Sequence, residues 1–392
     1  MLTGIELFRT TGLLENESRQ YMFRLILFTT ALFISACSEE SYTNITPEQY
    51  QYQKPVDLSD GIETASLDEV NASEQPFVEL VQNILRGYYK EIDSILVYQN
   101  DKLILEEYFN GYHQNKIHDL RSATKSITSL LTGIAVEQGF INSIDESVLG
   151  YFENDYSSFK NQSQRKQEMT IRDFLNMASG LDCDDDDHTS PGNEEKMYRF
   201  RDWYKFILDF EVINEPGDVF SYCTGGVNLL GGVIRQASQR SIHEFSNQYL
   251  FSKLGVDNFH WTYAPNLTED TGGHLFLRPR DMLKIGIMFL KNGIWQDRRI
   301  VSEDWITLSK EKYFLDYGYL WWKYDIHFDE SVGLNPAPHI EASGNGGQKI
   351  MIFPDYNAVI VFTGSNFGSF WGGYGPRLML RDYILPNLPN NG

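Results

Sequence analysis

Cysteine is scarce in this chain, with three residues among 392, and their spacing is not that of a zinc finger. The eight histidines form no His-Glu-x-x-His motif and no P-loop is present, so we expect neither a metal nor a cofactor. Basic residues are also few: 33 against 54 acidic ones leave a net charge of -21, which disfavours a nucleic-acid partner. A hydrophobic content of 42% nevertheless suits a globular protein with a sizeable core.

The first 37 residues have the layout of a secretory signal. Residues 22–24 give a short cationic start, residues 25–34 are apolar but too short for a comfortable membrane span, and small residues precede Cys37. Residues 33–37 resemble a bacterial lipobox, which implies cleavage before Cys37 and attachment of lipid to its sulfur. The alternative is an ordinary signal peptide with a chance cysteine. We expect Met22 to be the true start, and the mature protein to be a lipoprotein of the bacterial cell envelope, anchored in the lipid bilayer and facing the periplasm or the cell surface.

The other two cysteines, Cys183 and Cys223, can form one disulfide in an exported protein. The alternative is two free, partly buried thiols, because the sequence does not reveal the distance between them.

The remaining chain divides into a tether and one domain. Residues 38–75 are polar and lack apolar periodicity, which predicts a tether between the anchor and the domain. Over residues 76–392, strand patterns occur near both ends with helical patterns between them. This order predicts an α+β fold, in which an antiparallel sheet built from both chain ends is flanked by helices and carries an inserted all-helical lobe at roughly residues 140–300. A cleft between the lobes is the natural place for a site.

A Ser-x-x-Lys pair, Ser122 and Lys125, stands at the predicted start of a buried helix. Residues three apart share a helix face, so this hydroxyl and this amine can form a nucleophile–base pair for acyl transfer. Burial in the apolar helix should lower the pKa of Lys125 and make its free base accessible. Alone the pair is a weak signal, because many helices contain it as cap and surface residues.

Two further segments can contribute to the same chemistry. Tyr222 lies in a turn before glycine-rich backbone, where a phenol near an ammonium can act as acid and base, although most tyrosines are structural. Ser343, Gly344 and Asn345 begin a glycine-rich loop whose exposed N–H groups can bind an oxyanion, although such a loop can also simply turn the chain.

In this order, the three segments resemble the motifs of the penicillin-recognising serine hydrolases, which are Ser-x-x-Lys, Tyr-x-Asn and a Lys-Thr-Gly strand. The resemblance covers roughly residues 95–385 and favours the class C-type branch, with its 6-aminohexanoate-oligomer hydrolases and esterases. It implies that Ser122 is the nucleophile, that Lys125 accepts its proton, and that Tyr222 acts as base and then acid. It also implies an oxyanion hole formed by the N–H of Ser122 and one near Asn345. Whether Lys125 or Tyr222 is the main base stays open.

The chain departs from that pattern twice. Thr224 stands where the family has the Asn of Tyr-x-Asn, and would take its place in binding the substrate or oxyanion. Ala342 stands where the family has the Lys that helps to hold a substrate carboxylate, although Lys349 can substitute. We therefore expect a small-molecule or peptide ester or amide as substrate. The alternatives are a β-lactamase or D-Ala-D-Ala peptidase, and a non-catalytic envelope protein that binds peptidoglycan fragments or peptides.

An acidic loop at residues 182–188 follows the predicted helix before the active-site loop. Its carboxylates can hold Ca²⁺, but the spacing is not that of an EF-hand, and a solvated loop is the favoured interpretation. At the edge of the cleft, such a loop would disfavour anionic substrates.

Overall fold

The structure, a computed structural model, describes residues 45–388. The leader of residues 1–37 and the lipidation site Cys37 therefore lie outside the described residues. The strands are β1 Ile92–Gln99, β2 Lys102–Tyr108, β3 His118–Asp119, β4 His260–Trp261, β5 Leu275–Leu277, β6 Ile294–Trp295, β7 Arg298–Arg299, β8 Tyr317–Gly318, β9 Trp321–Ile326, β10 Ala337–Gly344, β11 Gln348–Phe353 and β12 Ala358–Gly364. The α-helices are α1 Glu74–Leu85, α2 Thr124–Glu137, α3 Gln164–Glu168, α4 Ile171–Leu175, α5 Glu194–Met197, α6 Trp203–Leu208, α7 Thr224–Ser238, α8 Ile242–Ser246, α9 Pro279–Leu290, α10 Glu303–Lys310 and α11 Trp371–Met379.

The main sheet has seven antiparallel strands in the order β2-β1-β12-β11-β10-β9-β8. Strand β1, from the start of the domain, pairs with β12 from its end, with Ile95 opposite Phe362. The prediction of an α+β fold with an antiparallel sheet built from both chain ends is confirmed.

Strands β1, β11 and β12 are buried along their whole length because helices cover both faces of the sheet. Along β1, Ile95 and Val97 belong to one core, together with Phe77 of α1. Leu96 alternates with them and belongs to a second core, together with Ile127 of α2. This alternation of faces follows from the two-residue period of a strand.

The predicted tether is wrong for residues 45–75, because the structure packs this segment against the domain. Leu67 is fully buried, and the Tyr50 hydroxyl donates a hydrogen bond to Glu107. Thr64 forms a β-bridge with Leu103 of β2. The sequence pattern does not predict this packing, because the few apolar residues of the segment are irregularly spaced and become buried only against the edge of the sheet.

The inserted lobe is not wholly helical. Helices α3 to α8 are accompanied by β4 and β5, which form a three-stranded sheet with β3, and β6 pairs with β7. Strands of two or three residues are too short to show an alternating pattern in the sequence. Across residues 45–388, none of the helices combines the length and hydrophobicity needed to cross a bilayer.

Candidate active site

Ser122 lies in a tight 3₁₀ turn, Arg121–Ala123, that leads directly into α2. Arg121 has a φ of 49°, in the left-handed region that non-glycine residues rarely adopt. The strained backbone is held by Asp119, whose carboxylate accepts a hydrogen bond from the Arg121 N–H at 2.9 Å. The turn therefore presents Ser122 at the N-terminal end of a buried helix, where the helix dipole favours negative charge.

The end of β10 packs directly on this turn. A Cβ at Gly344 would lie 2.1 Å from the carbonyl oxygen of Leu120, so only glycine allows this approach. Ser343, Gly344 and Asn345 consequently line the same cavity as Ser122. The Asn345 side chain is exposed and its oxygen accepts a hydrogen bond from the Gly368 N–H at 2.9 Å, so it holds the neighbouring loop.

Lys125 is buried on α2 with a relative exposure of 1%. Its Nζ lies 3.1 Å from Ser122 Oγ and donates a second hydrogen bond to the Gly272 carbonyl at 2.6 Å. The geometry thus brings the Ser-x-x-Lys pair within hydrogen-bond distance.

The electrostatics of Lys125 differ from the sequence expectation. Burial alone would lower the pKa of Lys125, but attraction from Tyr222 and three carboxylates outweighs it and raises that pKa above its usual value. The carboxylates belong to Glu194, Asp185 and Asp270. The expected fall in the pKa of Lys125 is wrong: the shift is upward, and it favours the ammonium form, which donates to Ser122 Oγ.

Tyr222 is half-buried, and the centre of its ring lies 5.0 Å from Lys125 Nζ. The ring stacks on Trp322 at 6.1 Å between centroids, and Trp322 stacks on Tyr324 at 5.5 Å. These stacked rings restrict the orientation of Tyr222 and form an aromatic wall of the cavity.

A disulfide joins Cys183 to Cys223, with 5.5 Å between their Cα atoms. Of the two pairing states that the sequence left open, the structure has the bonded one. Because Cys223 follows Tyr222 directly, the cross-link ties the Tyr222 turn to the acidic loop.

Thr224 does not reach the cavity. It is the first residue of α7, is 1% exposed, and its hydroxyl has no hydrogen-bond partner among the described residues. Its expected role in binding the substrate or oxyanion therefore stays a prediction.

The cavity around Ser122 has a volume of about 380 Å³. It is lined by Ser122, Asp186, Phe220, Tyr222, Trp322, Tyr324, Glu341, Ser343, Gly344, Asn345, Gly346, Lys349, Ser369, Gly372, Gly373 and Arg377. Lys349 lies opposite Ser343 on the neighbouring strand and donates to Ser343 Oγ at 2.5 Å. Arg377 of α11 also lines the cavity, and together with Lys349 it forms a cationic wall. Sequence reasoning named Lys349 but missed Arg377, since nothing in the local pattern of α11 marks it as a site residue.

The acidic loop is only partly solvated. Asp187 is exposed, Asp186 is exposed at the edge of the cavity, and Asp185 is half-buried and hydrogen-bonded to the backbone of α7. No group of side chains suited to holding a metal ion occurs within residues 45–388.

The antiparallel sheet, the helical lobe and the Ser-Lys-Tyr site are those of the β-lactamase fold class. A β-lactamase family model matches residues 81–371, and the chain belongs to this family. The resemblance and the fold inferred from the three motifs are thereby confirmed.

The chain is 22% identical over 231 residues to a 6-aminohexanoate-dimer hydrolase from Paenarthrobacter ureafaciens, a match that covers 55% of this chain and 56% of that protein. It is similar in structure to a candidate 6-aminohexanoate-dimer hydrolase from Bacillus anthracis, with a TM-score of 0.64, 20% identity and coverage of 88% and 90%. It is also similar to a family VIII carboxylesterase, with a TM-score of 0.58, 12% identity and coverage of 80% and 96%. The chain spans about half the length of the curated relatives that it matches. The chain thus belongs to the β-lactamase family and shares its fold with proteins named as 6-aminohexanoate-dimer hydrolase and carboxylesterase.

Proposed function

We propose that this protein is a serine hydrolase that cleaves an ester or amide bond through an acyl-enzyme on Ser122. The observation that carries the proposal is the 3.1 Å contact between Lys125 Nζ and Ser122 Oγ at the base of an open cavity. Covalent catalysis by serine needs such a neighbour to stabilise the developing alkoxide.

In the proposed cycle, Ser122 Oγ attacks the carbonyl carbon while its proton passes to the Tyr222 oxygen, and the Lys125 ammonium stabilises the charge that develops. The backbone N–H groups of Ser122 and Asn345 receive the oxyanion. Tyr222 then protonates the leaving amine or alcohol as the carbon–heteroatom bond breaks. Water attacks the acyl-enzyme and gives a proton to Tyr222, which passes that proton to Ser122 Oγ as the ester bond breaks. The acid product leaves, and Ser122 and Tyr222 return to their starting states.

The charges around the cavity favour an amide between two amino acids as the substrate. Asp186 offers a carboxylate at one edge, suited to an ammonium group, while Arg377, whose side chain is partly exposed, offers a cation suited to a carboxylate. Lys349 also lines the cavity, but its ammonium is paired with the buried Glu341 carboxylate at 2.8 Å. The name of the Paenarthrobacter relative, 6-aminohexanoate-dimer hydrolase, describes a substrate with both groups.

Lys349 also supports a second candidate function, β-lactamase or D-Ala-D-Ala peptidase activity. Ala342 replaces the family lysine, but the Lys349 ammonium lies beside Ser343. A cation is therefore present near the position where the family binds a substrate carboxylate. Turnover of nitrocefin, or release of D-Ala from a D-Ala-D-Ala peptide, faster than turnover of linear amides and esters would favour this candidate.

Labelling with a fluorophosphonate probe, followed by intact-mass analysis, tests the serine hydrolase. We expect one adduct on the wild-type protein and none on Ser122→Ala, because Ser122 is the proposed nucleophile and its hydroxyl lies 3.1 Å from the Lys125 ammonium. Ser129→Ala is the matched control: it removes a buried, unpartnered hydroxyl from the same helix and should label like wild type. Absence of a wild-type adduct, together with tight binding of peptidoglycan fragments, would favour the non-catalytic alternative.

We further propose that the protein is exported and anchored by lipid at Cys37. The disulfide between Cys183 and Cys223 supports an oxidising compartment. Growth of an expressing bacterium with a clickable palmitate analogue should label the wild-type protein and not Cys37→Ala. Equal labelling of the two proteins, or a wild-type protein that retains residues 1–36, would contradict the lipoprotein hypothesis.

A further inference from the structure

The turn that carries Tyr222 is held by Asp185 of the acidic loop. The residue two positions after the tyrosine is Thr224, which has no side-chain amide and does not reach the cavity. Asp185, from the acidic loop, contacts the turn on both sides of Cys223. Its N–H donates to the Tyr222 carbonyl at 2.8 Å, and its Oδ2 accepts from the Thr224 N–H at 2.6 Å.

The carboxylate of Asp185 is itself held in place. Its Oδ1 accepts from the Glu194 N–H at 2.8 Å, so each oxygen is bound to a different backbone donor. The disulfide from Cys183 fixes the loop two residues before Asp185. The Ser221 hydroxyl adds a hydrogen bond to the Cys183 carbonyl at 2.7 Å. Asp185 is therefore a rigid link between the acidic loop and the turn that carries Tyr222.

Asp185 also contributes charge to the active site. Its carboxylate is one of the three that raise the pKa of the buried Lys125. Burial raises the pKa of the Asp185 carboxyl, while Lys125 and the bond from Thr224 oppose that rise. The titratable groups that face this pair are Glu194, Tyr198, Tyr222 and Asp270, and Asp270 is in turn faced by His274.

We propose that Asp185 is a positioning residue of the acyl-transfer site: it fixes the turn that carries Tyr222 through its own N–H and its carboxylate, and it adds a negative charge to the surroundings of Lys125. It thereby takes over a task that the side chain of Thr224 does not perform. The inference rests on the proposed reaction at Ser122. A residue that merely capped α7 would stabilise the fold but would leave the pH dependence of the reaction unchanged.

Asp185→Asn separates these two roles. The amide can accept only one of the two backbone hydrogen bonds and removes the charge near Lys125. Loss of that charge lowers the pKa of Lys125, so the alkaline limb of the kcat/KM profile, where the ammonium loses its proton, should move by about one unit to lower pH. We expect kcat to fall by about 10- to 100-fold while KM changes little, because Tyr222 acts in the chemical step.

Two further variants make the test specific. Asp187→Asn makes the same chemical change on an exposed residue of the same loop and should keep the wild-type profile, because solvent screens its charge. Asp185→Glu keeps the charge but displaces the carboxylate, so it should lower kcat while the alkaline limb stays in place. Circular dichroism and thermal unfolding would test whether each variant is folded.

An alkaline limb that does not move in folded Asp185→Asn, or one that moves equally in Asp187→Asn, would overturn the inference. If Asp185→Asn does not fold, Asp185→Glu decides: reduced kcat with an unmoved limb supports the proposal, and a wild-type kcat overturns it. Fluorophosphonate labelling of wild type separates the two hypotheses. Without an adduct on Ser122 the proposed function fails, whereas an adduct with unaltered Asp185 variants refutes only the role of Asp185.

Discussion

Replacing Lys125 with methionine should reduce kcat/KM by about 10³-fold or more, because the Ser122 hydroxyl would lose its only neighbouring ammonium. In the structure this ammonium donates to Ser122 Oγ at 3.1 Å and is held by the Gly272 carbonyl at 2.6 Å. Methionine has a similar length and fills most of the space of the lysine side chain, so the loss should reflect chemistry more than packing. Steady-state kinetics on the best ester or amide substrate would measure it.

A second buried lysine provides the control. Lys166 is fully buried, donates to the carbonyls of Lys160 and Leu208, and has its pKa lowered by burial to about 8. Lys166→Met leaves those carbonyls without their donor and should cost about 1–3 kcal/mol of unfolding free energy, with kcat/KM unchanged. If Lys125→Met retained activity within ten-fold of Lys166→Met, the catalytic role of Lys125 would be refuted.

Replacing Glu341 with glutamine should lower the free energy of unfolding at pH 7 by about 3–5 kcal/mol. Glu341 is fully buried on β10 and its carboxylate lies 2.8 Å from Lys349 Nζ, 3.2 Å from His339 Nε2 and 3.8 Å from Arg377. The variant leaves the Lys349 ammonium buried without its counter-charge. Urea or guanidinium denaturation would measure the difference.

The stability difference between wild type and Glu341→Gln should depend on pH in a defined direction. Burial would raise the pKa of Glu341, but the charges of Lys349, His339 and Arg377 outweigh it and hold that pKa well below its ordinary value of 4.5. A carboxyl with a depressed pKa stabilises the fold above the pKa of the unfolded chain, and that contribution is lost as the pH falls towards the folded value. The gap between wild type and Glu341→Gln should therefore be full at pH 7 and narrow below about pH 4.5.

Two controls accompany this prediction. Asp316→Asn removes an exposed partner of Lys312 and should cost less than about 1 kcal/mol. The double variant Glu341→Leu, Lys349→Met removes both buried charges and should recover much of the stability lost in Glu341→Gln. A Glu341→Gln protein as stable as wild type at every pH would contradict the assigned electrostatics.

Some of this molecule could be predicted because the signals are local. Two short apolar runs, at residues 95–98 and 103–105, are separated by four polar residues and predict the hairpin of β1 and β2. The apolar run after Lys125 predicts the buried helix α2. The order of Ser122, Tyr222 and Gly344 along the chain indicates the family, because each short segment must bring a particular chemical group to one site. Such patterns can be recognised from the sequence because they do not depend on contacts with residues far along the chain.

The sequence by itself therefore determined the family, the two-ended sheet and the Ser-x-x-Lys pair. Tertiary structure alone decided the direction of the Lys125 pKa shift, the burial of Thr224 and the position of Arg377 at the cavity. Each of these depends on groups far along the chain: Lys125 is held by Gly272, 147 residues away, and is charged under the influence of Asp185 and Asp270. Local periodicity specifies which elements form, whereas a pKa or a cavity wall depends on distances that exist only after those elements have packed.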